Sequence, residues 1–475
     1  MVTKTKRVLA VILTGMMAAT ALAGCTQTTK TESGSGTGTA STASTADGGE
    51  SKSEGDGGSG STVDVYSDEM TANIKAKMKE EAAANGGTIE LKVWCASADL
   101  KFEKTLIEEF KELYKSDDGS YEFKIRSSGA IGEPDAGGKI VESPKDGADV
   151  FNFADDQLST LVEAKAIAPV IELFNSNVKA NNTKETVDAC TIDGTAYAFP
   201  KTSDNGYFLY YDKRVFKDDS AVASLDDMIK TAKDAGKNVY FNLGNAWYNA
   251  AFYFSAGVTI KYENGKQTTT FNTDEGLNAA KAMCHVAENA GAGFTGSDGG
   301  SGDNTAVEKG FNDGTLAAAV IGTWEGPAIK KAIGEENVGA AKLPTALIGD
   351  KQVQLESFGG YKLIGVNQFT KFPVTSQALA YYLGNTQSQL KRYAERGLIP
   401  TSNEALNDTK VQADPAKKAV EDQTPFSHGQ GSSVSGKYWS TNVGGFGGEI
   451  VTKKGAFTDD QLKDSLAKIQ EQIDT

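Results

Sequence analysis

From residue 88 to the end of the chain, segments with a strand pattern alternate with segments that have a helix pattern. Residues 89–94 alternate apolar and polar side chains, which is typical of a strand with one buried face. Residues 100–115 instead place Phe102, Leu106 and Phe110 four positions apart, on one face of a helix. Strands and helices in alternation bury their apolar faces by stacking helices on a sheet, so the pattern predicts an α/β fold.

The same alternation continues along the chain. Ser67 is the predicted N-cap of the first helix, and Gly397 is predicted to end a later one in the left-handed conformation. Thr458 and Gln461 form a capping-box pattern at the start of the last helix. Strands are predicted at residues 121–125, 149–153, 197–200, 207–211, 317–321 and 361–366. Helices are predicted at residues 67–84, 158–164, 225–235, 275–290, 305–312 and 377–396, and from residue 458 onward.

The first 62 residues have a different composition. Lys4, Lys6 and Arg7 precede an apolar run at residues 8–22, which predicts a secretory signal peptide over residues 1–24. The sequence LAGC at 22–25 resembles the lipobox of bacterial lipoproteins, which implies that Cys25 becomes N-terminal and carries lipid such as palmitate. An ordinary signal peptide followed by a chance cysteine is the alternative. Residues 26–62 lack aromatic residues, Leu, Ile, Val and Met, so we predict a disordered tether.

Composition excludes several classes of function. The formal net charge of −15 disfavours binding to nucleic acid or to anionic membrane surfaces, so lipid at Cys25 is the expected membrane contact. His285 and His428 are the two histidines, which excludes a site with several histidine ligands, and we expect no metal and no cofactor. Whether Cys95, Cys190 and Cys284 form any disulfide stays open, although buried free thiols are the simpler interpretation.

Short fragments over residues 88–475 resemble, in the same order, the extracellular solute-binding proteins of ABC importers, specifically the maltose and maltodextrin branch. The fragments are LKVW at 91–94, GADVF at 147–151, DGTAYAFP at 193–200, FNL at 241–243, KYENG at 261–265, FNDG at 311–314, GTW at 322–324 and AAKLPT at 340–345. The resemblance implies two α/β lobes joined by a hinge, a periplasmic-binding-protein-like fold of type II, with the ligand in the cleft between the lobes.

The resemblance also implies the domain boundaries. After an N-terminal helix at 63–87, lobe one comprises residues 88–201 and 358–400. Lobe two comprises residues 202–345 and 401–475, and residues 346–357 form a hinge crossover. A cleft that closes by hinge bending is a known way to trap a ligand.

The ligand that the resemblance implies is an oligosaccharide, with a maltodextrin as the first candidate. Aromatic rings suit the C–H faces of a sugar, and carboxylates and amides suit its hydroxyl rim. Matching positions assign Trp247, Trp324 and Trp439 as aromatic platforms, and Asp99, Asp156 and Asp204 as acceptors. Phe153 matches a cleft tryptophan of the family, and Trp94 is left open between core and cleft.

Two positions depart from the maltodextrin branch. Gln157 stands where an arginine is common, and Asn245 stands where the branch has an acid before its aromatic platform. Both replacements remove charge-assisted hydrogen bonds, which are the stronger kind. The two replacements affect which sugar we expect to bind. Gln157 and Asn245 are still predicted to belong to the binding site.

Several alternatives remain at this stage. Xylo-, manno- or galacto-oligosaccharides are other ligands of the family. A surface glycosidase would use two carboxylates from among Asp155, Asp156, Asp204 and Glu325, although we expect binding without turnover. The acidic loop at residues 298–303 hints at calcium but lacks the EF-hand spacing, so a polar loop is the simpler interpretation. The family implies a monomer at the extracellular face of the membrane that delivers its ligand to the permease subunits of an ABC transporter.

Overall fold

A computed structural model describes residues 66–263 and 265–474. The predicted signal peptide, Cys25 and the tether lie outside these residues. The first described helix, Asp68–Ala84, begins where predicted, because Ser67 Oγ accepts a hydrogen bond from the Met70 N–H at 3.3 Å. Within the described ranges, no helix is both long enough and apolar enough to cross a membrane.

The first lobe is built on a five-stranded mixed sheet. Its strands, in spatial order, are Glu122–Ser128, Thr88–Trp94, Val150–Ala154, Lys362–Val366 and Ala198–Thr202. The first three are parallel, and Lys362–Val366 runs antiparallel to both of its neighbours. Side chains on alternate positions enter two separate cores, with Val150 on one face and Phe151 and Phe153 on the other. The sheet is therefore covered on both faces, as expected for α/β layers.

Helices cover this sheet on both faces. The longer ones are Asp68–Ala84, Leu100–Leu113, Glu133–Glu142, Glu172–Asn181, Pro373–Gly384 and Thr386–Arg396, and the shorter ones are Leu158–Glu163 and Lys184–Ala189. A small hairpin joins Thr191–Ile192 to Thr195–Ala196. Its turn holds Asp193 and Gly194 at positive φ, which these two residue types tolerate well.

The second lobe has its own five-stranded sheet. The strands, in spatial order, are Phe294–Thr295, Asn238–Tyr240, Leu316–Ile321, Phe208–Asp212 and Val338–Ala341. All six side chains of Leu316–Ile321 are buried, as befits a central strand covered on both faces. The main helices of this lobe are Leu225–Asp234, Ala246–Ser255, Asp274–Ala287, Asp303–Asn312, Gly326–Ile333, Pro415–Gln423, Val443–Thr452 and Asp459–Asp474.

Shorter elements complete the described chain. Two antiparallel pairs are Ile260–Glu263 with Lys266–Thr269 and Thr345–Ile348 with Lys351–Gln354. The one-turn helices are Asn403–Leu406, Thr409–Gln412, Gln430–Ser433 and Gly436–Ser440. The 3₁₀ turns are Asp155–Gln157, Asp219–Val222, Thr323–Glu325, Glu335–Asn337 and Thr424–Phe426.

The chain passes between the two sheets near residues 203–207 and 360–361, and again after Gly397. Here the structure corrects the predicted hinge crossover at 346–357. Ala346, Ile348 and Leu355 belong to the core of the second lobe, because the hairpin Thr345–Gln354 packs there. The crossing follows the short strand Ser357–Gly359, which pairs in parallel with Ser427–Gly429.

One predicted helix is two helices. Residues 377–396 were expected to be continuous, but Asn385 is extended, with φ −70° and ψ 165°, and separates Pro373–Gly384 from Thr386–Arg396. Its side chain caps the second helix by accepting from the Ser388 N–H at 2.8 Å. Gly397 ends that helix at φ 66°, as predicted.

The capping box of the last helix is also confirmed. The Thr458 N–H donates to Gln461 Oε1 at 2.9 Å, and the Gln461 N–H donates to Thr458 Oγ1 at 3.3 Å. The three cysteines left open above are buried and free in the structure: Cys95, Cys190 and Cys284.

Candidate ligand-binding site

A cavity of about 1130 Å³ lies where residues of both lobes face each other. This volume is slightly above the range of about 300–1,000 Å³ typical of small-molecule sites, and suits an extended ligand. The first lobe contributes Ala96, Ala98, Asp99, Glu133, Asp156, Lys362 and Arg396. The second lobe contributes Asn245, Trp247, Tyr248, Asp303, Asn304, Trp324, Glu325, Gln430 and Trp439. We call this cavity the cleft.

Trp247 is held in the cleft wall at the start of the helix Ala246–Ser255. The N-cap residue Asn245 accepts from the Trp247 backbone N–H at 2.9 Å. The Trp247 indole Nε1–H donates to Gln430 Oε1 at 2.9 Å, and the ring meets Tyr207 edge-on at 4.8 Å between centroids. Its orientation is therefore fixed from both the backbone and the ring edge.

Trp324 lies beside Trp247, with ring centroids 5.9 Å apart and planes inclined at 35°. It follows the central strand Leu316–Ile321, and a Cβ on Gly322 would lie 1.9 Å from its ring, so glycine is required there. Its Nε1–H donates to Asn304 Oδ1 at 3.0 Å, and Lys362 Nζ lies 4.9 Å from the ring centroid. The two indoles form a broad angled aromatic surface.

Trp439 is the most exposed of the three, at 37% of its full accessible area. It belongs to the short helix Gly436–Ser440 and packs against Phe358 at 5.8 Å and edge-on against Tyr438 at 4.9 Å. An exposed indole supported by buried aromatic rings can stack on a ligand without reorganising the wall behind it.

Asp156 faces the cleft from the first lobe. Burial raises its pKa to about 6. Its Oδ1 atom is buried and has no hydrogen-bond partner among the described residues. A buried acceptor without a partner costs about 1–3 kcal/mol, so a hydroxyl donor from a ligand would be favourable here.

Glu325 follows Trp324 and is 7% exposed, with no ion pair to any described residue. Burial, together with the charge of Glu308, raises its pKa to about 7, and Arg396 opposes the rise. The structure places Glu325 in the cleft wall, where its carboxyl group is a further acceptor for a ligand.

Asp303 organises the polar edge near Trp247. It accepts from Tyr240 Oη, from Asn242 Nδ2 at 2.8 Å and from Asn245 Nδ2 at 3.1 Å. The nearby Asp298 accepts from the backbone N–H groups of Gly300 and Gly302 within its own loop. These bonds explain the acidic loop as a structural element, and no group of three or more His, Cys, Asp or Glu within the described ranges could hold a metal ion.

Asp99 borders the cleft, but its carboxylate forms ion pairs within the first lobe. Its carboxylate lies 3.1 Å from Lys201 Nζ and 2.9 Å from Arg396 Nε, and Lys201 is also 3.0 Å from Glu133. Burial acts to raise the pKa of Asp99, but Lys201, Arg392 and the hydrogen bond from Arg396 hold it well below its usual range. Asp99 thus orients Arg396 at the edge of the cleft.

Three predicted site residues do not line the cleft. Phe153 is fully buried against Phe151, because both point to the same face of their strand. Gln157 uses its amide within the first lobe, accepting from the Gly137 N–H and donating to the Glu133 carbonyl, each at 2.6 Å. The assignment of both as cleft residues is corrected.

The third, Asp204, lies at the hinge. It is 2% exposed, accepts from Thr323 Oγ1 at 2.7 Å and lies 3.8 Å from Lys362 Nζ. It borders a separate cavity of about 540 Å³ that also contains Asp155. Asp204 therefore ties the crossing segment to the second lobe. Trp94, left open above, packs with the core behind the first sheet and is absent from the cleft.

Comparison with known proteins identifies the family. The model of the bacterial extracellular solute-binding proteins matches residues 105–419. The chain belongs to this family. Such proteins bind a solute rather than transform it, so the chain is a binding protein and not an enzyme, and the glycosidase alternative is set aside.

Individual relatives agree with this membership. The galactooligosaccharide-binding protein of Bacillus subtilis is 26% identical over 289 residues, which cover 59% of this chain and 66% of the relative. The maltooligosaccharide ABC transporter solute-binding lipoprotein of Streptococcus pneumoniae is 25% identical over 352 residues, covering 71% of this chain and 78% of the relative. A protein solved with acarbose is 30% identical, with a TM-score of 0.68, covering 82% of this chain and 99% of that one. The predicted two-lobed α/β fold is confirmed.

Proposed function

We propose that this solute-binding protein captures a maltooligosaccharide in the cleft and delivers it to an ABC importer. The observation that carries the proposal is the meeting of Trp247, Trp324 and Trp439 in one cavity of about 1130 Å³. Three indoles around an elongated space provide flat apolar surfaces for successive sugar rings.

The polar groups of the cleft suit the rim of a sugar. Asp156 Oδ1 is a buried acceptor without a partner among the described residues, and the carboxyl group of Glu325 lines the same cleft as the indoles. Lys362 and Arg396 add N–H donors from the first lobe. A neutral ligand with many hydroxyls can donate to the carboxylates and accept from the cations, which supports an oligosaccharide over an amino acid or a peptide.

The names of the relatives support the sugar class and leave two candidates. The relative from Streptococcus pneumoniae is a maltooligosaccharide-binding lipoprotein, and the relative from Bacillus subtilis binds galactooligosaccharide. We favour the α-glucan because its relative matches more of this chain, and a galactooligosaccharide is the second candidate.

Calorimetry with a panel of trisaccharides tests the proposal. We expect heat and saturation with maltotriose, and weaker or no binding with galacto-, xylo- and manno-trisaccharides or with tripeptides. Tighter binding of a galactooligosaccharide would move the assignment to the second candidate. Heat from tripeptides alone would refute the oligosaccharide assignment. Prolonged incubation should leave the length of maltodextrins unchanged.

We further propose that the protein acts as a monomer at the extracellular face of the membrane, held by lipid on Cys25 and by the tether at residues 26–62. The lipobox-like sequence and the lipoprotein among the relatives support this anchor. Cys25→Ala should release the protein into the medium or the soluble fraction, and Cys25→Ser should do the same. Retention of both variants in the membrane fraction would contradict the anchor.

A further inference from the structure

We propose that Asp303 and Asn304, the first two residues of the helix Asp303–Asn312, are positioning residues that set the angle between two indoles of the cleft. Asp303 acts on Trp247, and Asn304 acts on Trp324. The inference rests on the proposed function, because these indoles are the surfaces on which we place the sugar. Neither residue was among the binding residues predicted from the sequence.

The carboxylate of Asp303 holds the loop that leads into the helix of Trp247. Its Oδ1 accepts from Tyr240 Oη and from Asn242 Nδ2 at 2.8 Å, and its Oδ2 accepts from Asn245 Nδ2 at 3.1 Å. Tyr240 ends the preceding strand and Asn245 is the N-cap of the helix, so one carboxylate binds both ends of the loop. A carboxylate only accepts and can satisfy three donors in this way, whereas the single oxygen of an amide has two lone pairs.

The same bonds fix the direction of two amide side chains. Because Nδ2 of Asn245 faces the carboxylate of Asp303, its Oδ1 is turned towards the backbone N–H of Trp247 and accepts from it at 2.9 Å. Asn242 is fixed likewise, since its Nδ2 donates to Asp303 and its Oδ1 accepts from the Gly244 N–H at 3.0 Å. Asp303 therefore places the backbone from which Trp247 projects.

Asn304 acts on the second indole directly. Its Oδ1 accepts from the Trp324 indole Nε1–H at 3.0 Å. The rings of Trp324 and Trp247 lie 5.9 Å apart between centroids, with their planes inclined at 35°. Adjacent residues of one helix thus hold one tryptophan through its backbone and the other through its ring, so the start of this helix fixes how the two rings stand to each other.

The acidic loop before the helix supports these two residues. Asp298 accepts from the Gly300 N–H at 2.8 Å and from the Gly302 N–H at 3.2 Å, and its carbonyl accepts from Ser301 Oγ at 2.6 Å. Gly302 has a φ of 86°, which favours glycine, and it directly precedes Asp303. The loop therefore brings the chain into the helix at a defined position.

A fixed angle prepares the aromatic surface for a ligand. An oligosaccharide that lies on both indoles presents its ring faces at the angle between them, and side chains already held at that angle lose less conformational freedom on binding. Without Asn304, the Trp324 ring loses the hydrogen bond that sets its rotation, while the Trp247 indole keeps its bond to Gln430 at 2.9 Å. Replacement of Asn304 should therefore disturb mainly the Trp324 ring.

The test uses variants of the full chain and begins with two readouts that need no sugar. Asn304→Leu removes the acceptor of Trp324, and Asn304→Asp retains one. Asp303→Asn replaces the carboxylate by an amide, which cannot accept from all three donors. The readouts are the indole N–H resonance of Trp324 and the backbone N–H resonance of Trp247, assigned with Trp324→Phe and with selective labelling.

In Asn304→Leu we expect a shifted indole resonance of Trp324 and an affinity for maltotriose about 2- to 10-fold weaker, and Asn304→Asp should restore both. In Asp303→Asn we expect a shifted backbone resonance of Trp247 and a similar loss of affinity. Asp313→Asn, at the far end of the same helix, is the matched control and should change none of these. Asn304 is exposed, so its variants decide with the same readouts if Asp303→Asn does not fold.

A double-mutant cycle distinguishes positioning from direct contact with the sugar. If Asn304 acts through Trp324, adding Asn304→Leu to Trp324→Ala causes no further loss of affinity. Losses that add in full would show that Asn304 contributes independently of the ring, and would overturn its role as a positioning residue.

Unchanged resonances of both tryptophans in folded Asn304→Leu and Asp303→Asn would also overturn the inference. So would unchanged maltotriose affinity in both variants while the wild type binds. A wild-type protein that binds no oligosaccharide would refute the proposed function instead, and the two sugar-free readouts would still test how Asp303 and Asn304 hold the tryptophans.

Discussion

At the scale of single residues, the buried charged side chains of the first lobe stabilise the fold. Lys201 is fully buried and lies within 4 Å of Asp99, Glu103 and Glu133. Ions in such a site require partners, because the loss of one partner leaves the others buried and unpaired. Arg396 is held at the edge of the cleft by this cluster through Asp99.

Replacing Lys201 should therefore destabilise the protein strongly. We expect Lys201→Met to lower the free energy of unfolding by about 3–5 kcal/mol, because it leaves buried carboxylates uncompensated. The matched control is Lys139→Met, which removes an exposed ion pair with Glu142 and should leave the free energy of unfolding nearly unchanged. Denaturant unfolding measures the free energy of unfolding of both variants. Equal effects of the two substitutions would contradict the stabilising role of Lys201.

At the scale of elements, local signals explain what the sequence could predict. Caps at Ser67, Gly397 and Thr458 are encoded by a few neighbouring residues, and all three form as predicted. The break at Asn385 was missed because the apolar pattern continues through it, although Asn is a good N-cap residue. An N-cap residue within a continuous apolar pattern can be recognised only from the tertiary structure, which shows that the chain bends at that residue.

The cap at Asn385 gives a prediction of its own. Asn385→Ala should lower the free energy of unfolding by about 0.5–2 kcal/mol, since the Ser388 N–H loses its acceptor. Asn385→Ser retains a capping oxygen and loses the contact of the Asn385 amide with Tyr66, so the difference between the two variants isolates the cap. Identical thermal unfolding of the Ala and Ser variants would show that the cap contributes nothing.

The cleft shows the same division between local and tertiary signals. The three tryptophans and Asp156 were predicted from fragments that resemble the family, and they meet in one cavity. Phe153 and Asp204 were misplaced because a matched position does not report the direction of a side chain. Gln430 and Lys362 carry no sequence pattern, since their partners lie far away along the chain: Trp247 for Gln430 and Trp324 for Lys362.

At the scale of the whole molecule, the hinge contains carboxyl groups in unfavourable surroundings. Burial, and then the charge of Asp156, raises the pKa of Asp155 to about 7. An unfolded aspartate has a pKa near 3.9, so between about pH 4 and pH 7 the folded state binds more protons than the unfolded state. The contribution of Asp155 to stability is therefore lost as the pH rises through this window.

Asp155→Asn should accordingly stabilise the protein more at pH 8 than at pH 4, by about 1–3 kcal/mol in free energy of unfolding. At pH 4 the native carboxyl group is already protonated, so the amide offers little advantage. Asp234→Asn, on an exposed helix surface, should show the same change at both pH values. Denaturant unfolding at the two pH values checks this, and a stabilisation that does not depend on pH would contradict the raised pKa.

The central claim is that the cleft binds an oligosaccharide on its tryptophans, and calorimetric titration with maltotriose tests it most directly. We predict saturable heat for the wild type and an affinity lower by about 1–3 kcal/mol, roughly 5- to 150-fold, for Trp324→Ala, which loses an aromatic surface in the cleft. Trp94→Phe, which changes a tryptophan outside the cleft, should bind as the wild type does. Unaltered binding in Trp324→Ala, or no heat from any oligosaccharide with the wild type, would contradict the claim.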